Sequence, residues 1–535
     1  MQLIKDLNFG FHDGSAFLAR NNKELLKDIF VEIEDVARIC EEHIYYLIGE
    51  KGTGKTTYAA YLSNSTYHQT IGTKTFSIKS SITSISETEY DKFITLKKEN
   101  HLHLSGYQSI WKVVLLLIIA GKIIENEGQG IFSFAKFLKL KHIIDEFYKK
   151  AFSPEISTAI SFVEKSKASI GITAKYLKGD VSHSASESSS HDSFQTDLLY
   201  LEKTFKDCIQ SLKLNNHLIL FIDGIDVRPE SISYDDYLEC IKGLAHAMWS
   251  LNSNFFGNIK DSKGRLKVVL LLRPDIFNSL NLQNASSKLN DNAVIFNWEA
   301  TYENYQRSQL FHLAEKLLSH NQKRKPTNIW DVYFPYTVKR QDTPNSGEDS
   351  SFIPFLRNSF YRPRDIVAQL SYLQQCAIRR DKEAQYFVES DSSHDFMRLY
   401  SEYALGQVKD YLKFYFSDAE YESFISFFPH LKGLAKFTYS DFAKAYELYA
   451  KENNNLPKPL ATEHDFLQFL YDLNVIGYYE YVEGRDAPFI RWGFREKTFA
   501  HMSPKVMLDS TYIIHNGLLK ALNLGRRNIS YSNRH

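Results

Sequence analysis

The stretch IYYLIGEKGTGKTTYAAYL, residues 44–62, decides how this chain is read. An apolar run breaks at Gly49. Glycines then alternate with small and charged residues, and Lys55, Thr56 and Thr57 lead into an alanine-bearing helical stretch. The spacing Gly49, four residues, Gly54, Lys55, Thr56 is that of the phosphate-binding loop G-x-x-x-x-G-K-[ST]. Its context agrees: residues 44–48 read as a short buried strand and residues 56–62 as the first turns of a helix. Gly49, Gly52 and Gly54 can adopt backbone angles closed to other residues. The loop can therefore wrap, with Thr53 and Thr57 in the same cradle, so that its N–H groups face an anion at a helix N-terminus. In that reading Lys55 reaches the β- and γ-phosphates and the Thr56 hydroxyl ligates Mg²⁺. The competing reading is a chance glycine-rich turn.

A chain of 535 residues exceeds what one core fills and predicts about three domains. Lys+Arg and Asp+Glu are each 64, so a whole-molecule basic field for nucleic acid is absent. Cys40, Cys208, Cys240 and Cys376 are scattered without a C-x-x-C pair, which favours reduced cytoplasmic thiols over disulfides or a zinc site. No secretory signal is visible at the start, where Lys5, Asp6 and Asp13 interrupt any apolar run. The most apolar stretch, residues 113–120, falls short of the ~20 residues a bilayer requires and predicts a buried helix.

Working outward, residues 1–43 form an N-terminal segment with a helix expected over 23–42. Residues 75–78 suggest the next strand, and residues 107–125 a strongly apolar helix. A helical insert follows at about 126–212. Within it the Ser-rich stretch SHSASESSSHDS, residues 182–193, predicts a disordered loop. Next, HLILFIDGIDVRPE delivers Asp223 at the end of an apolar run, LKVVLLL ends at Arg273, and AVIFNW ends at Trp298. Such runs alternating with helices predict a parallel sheet covered on both faces, with ligands outside the carboxyl ends of its strands. Gly49, Asp223 and Arg273 all fall at such ends. The expected domains are therefore an α/β core over 44–320, a helical lid over 321–392, and a helical C-terminal domain over 393–535. In the last, a helix over 462–473 and strands over 475–481 and 488–494 suit a winged helix-turn-helix, closed by a helix over 510–522.

A carboxylate at Asp223 is placed to bind Mg²⁺ opposite Thr56. Many ATPases carry Glu directly after it to orient the attacking water; here that position is Gly224. Asp226 is the nearest replacement and Glu230 the second, with a strand-end turn or helix cap as the alternative for Asp226. Arg273 and Arg364 suit contact with a γ-phosphate, because a guanidinium donates in pairs. Salt bridges to Asp275 or Asp365 are their alternatives. The presumed recognition helix carries Glu463, Asp465 and Asp472 and no Lys or Arg, which disfavours DNA. Arg485, Arg491, Arg495 and Lys497, with Arg526 and Arg527, could still make a local basic patch.

With these motifs in hand, the chain resembles the FunZ-like P-loop ATPases of bacteria, relatives of the origin-recognition-like AAA+ and STAND ATPases. The resemblance rests on FGFHDG, IGEKGTGKTT, YQSIWKVVLLL, FIDGIDV, LLLRPDIF, YRPRDI and FLYDLNVIGYY, with FREKTF and IIHNGLLKAL near the end. It implies an AAA+-like core, a helical lid and a winged helix. FIDGID is similar to the NACHT-type Asp-Gly-x-Asp signature, which implies a catalytic role for Asp226; Val227 stands where that signature commonly has Glu. The resemblance also implies that Arg273 is a sensor arginine after the fourth core strand and Arg364 a lid arginine. It implies a ligand-triggered switch, as in anti-phage defence.

The leading expectation is thus a Mg²⁺-dependent ATPase switch in the cytoplasm. Its winged helix would report the nucleotide state to a protein partner, with homo-oligomers possible and no membrane role. A non-hydrolysing nucleotide scaffold or DNA adaptor is the second expectation, and a small-molecule kinase the third. No guanine-reading N-K-x-D motif is evident, although ATP and GTP are not otherwise separated.

Overall fold

Long apolar runs build one sheet. In the computed structural model, its strands are β1 (Tyr46–Ile48), β2 (Tyr67–Ile71), β3 (Lys74–Ser84), β4 (His217–Asp223), β5 (Leu266–Leu272) and β6 (Ala293–Ile295). The structure describes residues 1–33, 36–64, 67–71, 74–85, 104–127, 138–140, 142–143, 191–230, 232–259, 264–323, 326–340, 347–453, 456–481, 488–496 and 504–525. The spatial order among these is β2-β3-β4-β5-β1-β6. β3, β4, β5, β1 and β6 run parallel, and β2 pairs antiparallel with β3 at the edge. β1 and β5 are buried along their whole length, and β4 along all but Asp223. That burial on both faces explains why residues 218–222 and 268–272 are continuous apolar runs rather than alternating ones. The expected α/β parallel sheet is therefore present. The strand expected at 75–78 is the first half of a longer β3, and the run expected to end at Trp298 is in strand conformation only to Ile295.

The connections matter for function. From β1 the chain turns toward β2 and β3 on one side. After β5 it crosses β1 and enters β6 on the other side. Strand order thus reverses beside β1, and a crevice opens at carboxyl ends where such a reversal occurs.

The helix Leu104–Glu127 is the expected buried one. By length and composition its stretch Tyr107–Asn126 could cross a bilayer, but 72% of that stretch is inside the protein. It packs against the helix Tyr234–Asn254, where Trp111 Nε1 donates to the Cys240 carbonyl at 3.1 Å. Gly243 makes this approach possible. A Cβ there would stand 2.6 Å from the Tyr107 Cβ and 3.2 Å from the Gln108 nitrogen. Gly243→Leu is therefore expected to destabilise the fold by about 1–3 kcal/mol through overpacking, read by chemical denaturation. Unchanged stability would refute this packing.

The chain groups into two compact units, which do not coincide with the expected domains. One comprises Glu34–Glu50 and Lys55–Phe296. The other comprises Met1–Ile33, Lys51–Gly54 and Asn297–His535. The helix expected over 23–42 is accordingly two pieces, Lys23–Ile29 and Val36–Cys40. Leu26 and Ile29 are buried in one unit, and Ile39 and Cys40 in the other.

In the second unit the helix Gln309–Ser319 is capped by the Ser308 hydroxyl. Within the stretch read as a helical lid, a hairpin forms from β7 (Thr337–Lys339) and β8 (Glu348–Ser350). A second sheet has the order β11-β10-β12-β9, from β9 (Lys436–Thr438), β10 (Ile476–Glu480), β11 (Phe489–Arg491) and β12 (Thr511–Ile514). The helix Glu463–Asp472 precedes β10, as expected. The helix expected over 510–522 is instead β12 followed by the short 3₁₀ turn Asn516–Leu518. Tyr512 and Ile514 fill one face while β12 pairs with both β10 and β9, and β-branched and aromatic residues suit that pleated, half-buried surface. The insert and Ser-rich loop lie mostly outside the described residues, although residues 191–193 already belong to the helix His191–Gln210.

Candidate functional site

The glycine loop leaves β1 where the sequence places it. The Gly49 N–H donates to the Leu272 carbonyl at 3.1 Å, extending the ladder one residue past Ile48. Gly52 and Gly54 have φ of 90° and 96°, a conformation that glycine adopts without strain and that suits an anion-binding backbone nest. The helix Lys55–Asn64 begins directly after, with Thr56 and Thr57 half-buried in its first turn.

Lys55 Nζ donates to the carbonyls of Gly49 at 2.7 Å and Glu50 at 3.1 Å. Burial pulls its ammonium below the usual lysine range; the charges of Asp226, Asp223 and Glu50 oppose that shift, and Arg273 adds to it. The Thr56 hydroxyl donates to Asp223 Oδ2 at 2.6 Å, joining residues 167 apart in sequence. The Gly224 N–H donates to Asp223 Oδ1 at 2.8 Å. Burial pushes the Asp223 carboxyl up, and the nearby charge of Asp226 pushes it further. Hydrogen bonds from Thr56 and Gly224 and the charge of Lys55 hold it down. Glycine at 224 also lets the chain turn with φ of 76° immediately after the strand. That turn keeps Asp226 close enough to influence both Lys55 and Asp223. Glu230, the second candidate acid, is exposed.

These groups can be tested against Mg²⁺ and a triphosphate. Mg²⁺ prefers a few carboxylate or hydroxyl oxygens and completes its octahedron with water and phosphate oxygens. Thr56 and Asp223 bring one hydroxyl and one carboxylate to a single point, and no group of three metal-ligating side chains occurs among the described residues. This donor set fits a metal shared with a ligand's phosphates rather than a cation caged by protein alone. Lys55, now held by loop carbonyls, is the cation such phosphates would attract.

The two arginines are placed differently from each other. Arg273 is fully buried and takes its alternative, the pair with Asp275: Nε to Oδ1 at 3.0 Å and Nη2 to Oδ2 at 2.6 Å. It stays close enough to Lys55 to lower that ammonium's pKa. Arg364 does not pair with Asp365. Its Nε donates to the His12 carbonyl at 2.7 Å and its Nη1 to Gln407 Oε1 at 3.0 Å. Its stem covers Gly52, where a Cβ would lie 3.2 Å from the Arg364 Cβ.

Two residues beside the loop carry roles that sequence reasoning missed. Arg362 takes Asp365 in a buried two-point pair and donates from Nη1 to the Lys51 carbonyl at 3.0 Å. Trp298 Nε1 donates to the Thr53 carbonyl at 2.9 Å, with Thr53 itself buried. The RPR run at 362–364 showed that an arginine belonged near a helix start but not which one would reach the loop. Trp298 offered no signal beyond closing an apolar run.

Two members of the suspected basic patch, Arg491 and Arg495, have partners within the protein. Arg491 pairs with Glu480 and, at 3.0 Å, with Glu496. The Arg495 guanidinium lies 4.5 Å from the Tyr361 ring centre and donates to the Tyr361 hydroxyl. Arg485, Lys497, Arg526 and Arg527 lie outside the described residues.

Fold and site together define an α/β protein whose parallel sheet presents a glycine loop, a lysine, a threonine and two aspartates at its carboxyl edge. Compared with models of known protein families, the chain matches none, and no curated protein sequence matches it.

Proposed function

We propose that the chain is a P-loop ATPase of the AAA+/STAND kind that binds ATP with Mg²⁺ and hydrolyses it as a molecular switch. The observation that carries this reading is the 2.6 Å contact between Thr56, on the helix behind the glycine loop, and Asp223, at the end of a separate strand. A chance glycine turn has no reason to bring that hydroxyl to that carboxylate. The reversal of strand order beside β1 supports a ligand at the same edge.

In this reading the loop N–H groups and Lys55 bind the β- and γ-phosphates, while Thr56 and Asp223 hold Mg²⁺. When bound, Mg²⁺ neutralises charge on the phosphate oxygens. Lys55 exchanges its loop carbonyls for phosphate oxygens. Asp226 accepts the proton of the attacking water. Arg273, bound to Asp275, acts on the site through its field. The helix-and-strand unit around Glu463–Asp472 and β10–β11 serves as a winged helix that docks a protein partner. Its acidic helix and the internal pairing of Arg491 favour protein over DNA. A cytoplasmic, FunZ-like defence switch is the setting this reading suits.

One observation favours a second reading, a scaffold that holds nucleotide without hydrolysing it. Gly224 offers no carboxylate beside Asp223, so turnover depends on Asp226 alone. The deciding experiment measures binding and phosphate release with ATP and GTP, alone and with added nucleic acid. Binding with Mg²⁺-dependent phosphate release is expected. Binding without release establishes the scaffold, and no binding overturns both.

A further inference from the structure

We propose that Arg362 is a positioning residue for the glycine loop, acting through the loop's backbone rather than on any ligand. The loop tip, Lys51–Gly54, groups with Met1–Ile33 and Asn297–His535 in one compact unit. Two of its carbonyls are held by side chains of that unit. Arg362 Nη1 binds the Lys51 carbonyl at 3.0 Å, and Trp298 Nε1 binds the Thr53 carbonyl at 2.9 Å. These carbonyls flank Gly52, a residue with little intrinsic conformational restraint. Lys51 Nζ also lies 3.5 Å from the Asp410 carboxylate.

The way Arg362 is itself held points the same way. Its Nε and Nη2 bind Asp365 Oδ2 and Oδ1 at 2.9 and 2.8 Å, and its guanidinium lies 4.6 Å from the Phe360 ring centre. Asp365 also accepts the Phe360 N–H at 2.8 Å. A buried ion pair is a poor source of net stability, because desolvation offsets its attraction. What this pair achieves is direction: with two edges of the fork fixed, the remaining Nη1 can aim only at Lys51. A glycine-rich loop loses much entropy when ordered by a ligand. A tip already pinned on both sides of Gly52 has lost part of that freedom in advance, so a phosphate binds it more tightly.

The affinity part of this inference rests on the proposed nucleotide function; the loop-order part does not. The test uses the full chain with Arg362→Ala, the milder Arg362→Gln, Trp298→Phe, and Leu373→Ala as a core control on the same helix. Hydrogen exchange of a peptide spanning residues 49–57, without nucleotide, is expected to quicken about tenfold in both Arg362 variants and in Trp298→Phe. Leu373→Ala should lower the melting temperature without that local change. Affinity for Mg²⁺-ATP should fall about tenfold in parallel. If the Arg362 variants melt earlier but keep wild-type loop exchange, their role is structural only and the proposal is overturned. Faster loop exchange with no ATP binding even in the wild type upholds the positioning role and removes the nucleotide reading instead. If Arg362→Ala does not fold, Arg362→Gln decides by the same exchange measurement.

Discussion

Asp226→Asn is expected to leave ATP bound and to lower phosphate release by roughly 10²–10⁴-fold, the range over which a positioned general base acts. The substitution preserves shape and removes one negative charge from a group that includes Asp223 and Lys55. Two consequences follow from that charge. Affinity for a triphosphate should hold or rise slightly, because a carboxylate near phosphate oxygens repels them. The Asp223 carboxyl should also ionise more readily, since the Asp226 charge is one of the influences pushing it up. Single-turnover phosphate release alongside equilibrium ATP binding separates the two effects. A variant that turns over like the wild type would remove Asp226 from the chemistry and leave the acid role without an owner beside Asp223.

Lys55→Ala is expected to weaken ATP binding by about two orders of magnitude, the loss of charge-assisted bonds to phosphate worth about 3 kcal/mol. The structure adds a reason beyond the missing ammonium. The Lys55 charge helps the hydrogen bonds from Thr56 and Gly224 to hold down the Asp223 carboxyl. Without it that group is pushed further toward its neutral form, which is a poor Mg²⁺ ligand. Loss of affinity should therefore be steeper with Mg²⁺ present than absent. Calorimetry with ATP, with and without Mg²⁺, reads both. Wild-type affinity in the variant would end the proposed site and with it the ATPase reading.

Much of the core was legible because its strands are buried on both faces. A parallel strand with no solvent side is apolar along nearly all its length, so residues 218–222 and 268–272 stand out in the chain. The loop was legible for a related reason: Gly52 and Gly54 occupy backbone angles that few other residues tolerate. Partly buried elements were harder to read. β12 resembled a helix because its short run, between Ser510 and the Asn516–Leu518 turn, has too few residues to show a period. The helix expected over 23–42 had adequate apolar residues, but these serve two separate cores.

By itself, the sequence determined the parallel sheet, the glycine loop with Lys55 and Thr56, and the aspartate that terminates β4. Each depends on local chemistry: continuous apolar runs, glycine's freedom, and a charged residue where a buried strand ends. Only the tertiary structure decided that Thr56 meets Asp223 across 167 residues, that Arg273 is bound to Asp275, and that Arg362 rather than Arg364 takes Asp365 and the Lys51 carbonyl. Those outcomes depend on which side chains the packing places within about 3 Å of each other. Two arginines two residues apart on one helix start are equivalent as sequence, and they become different only when one points into a buried carboxylate.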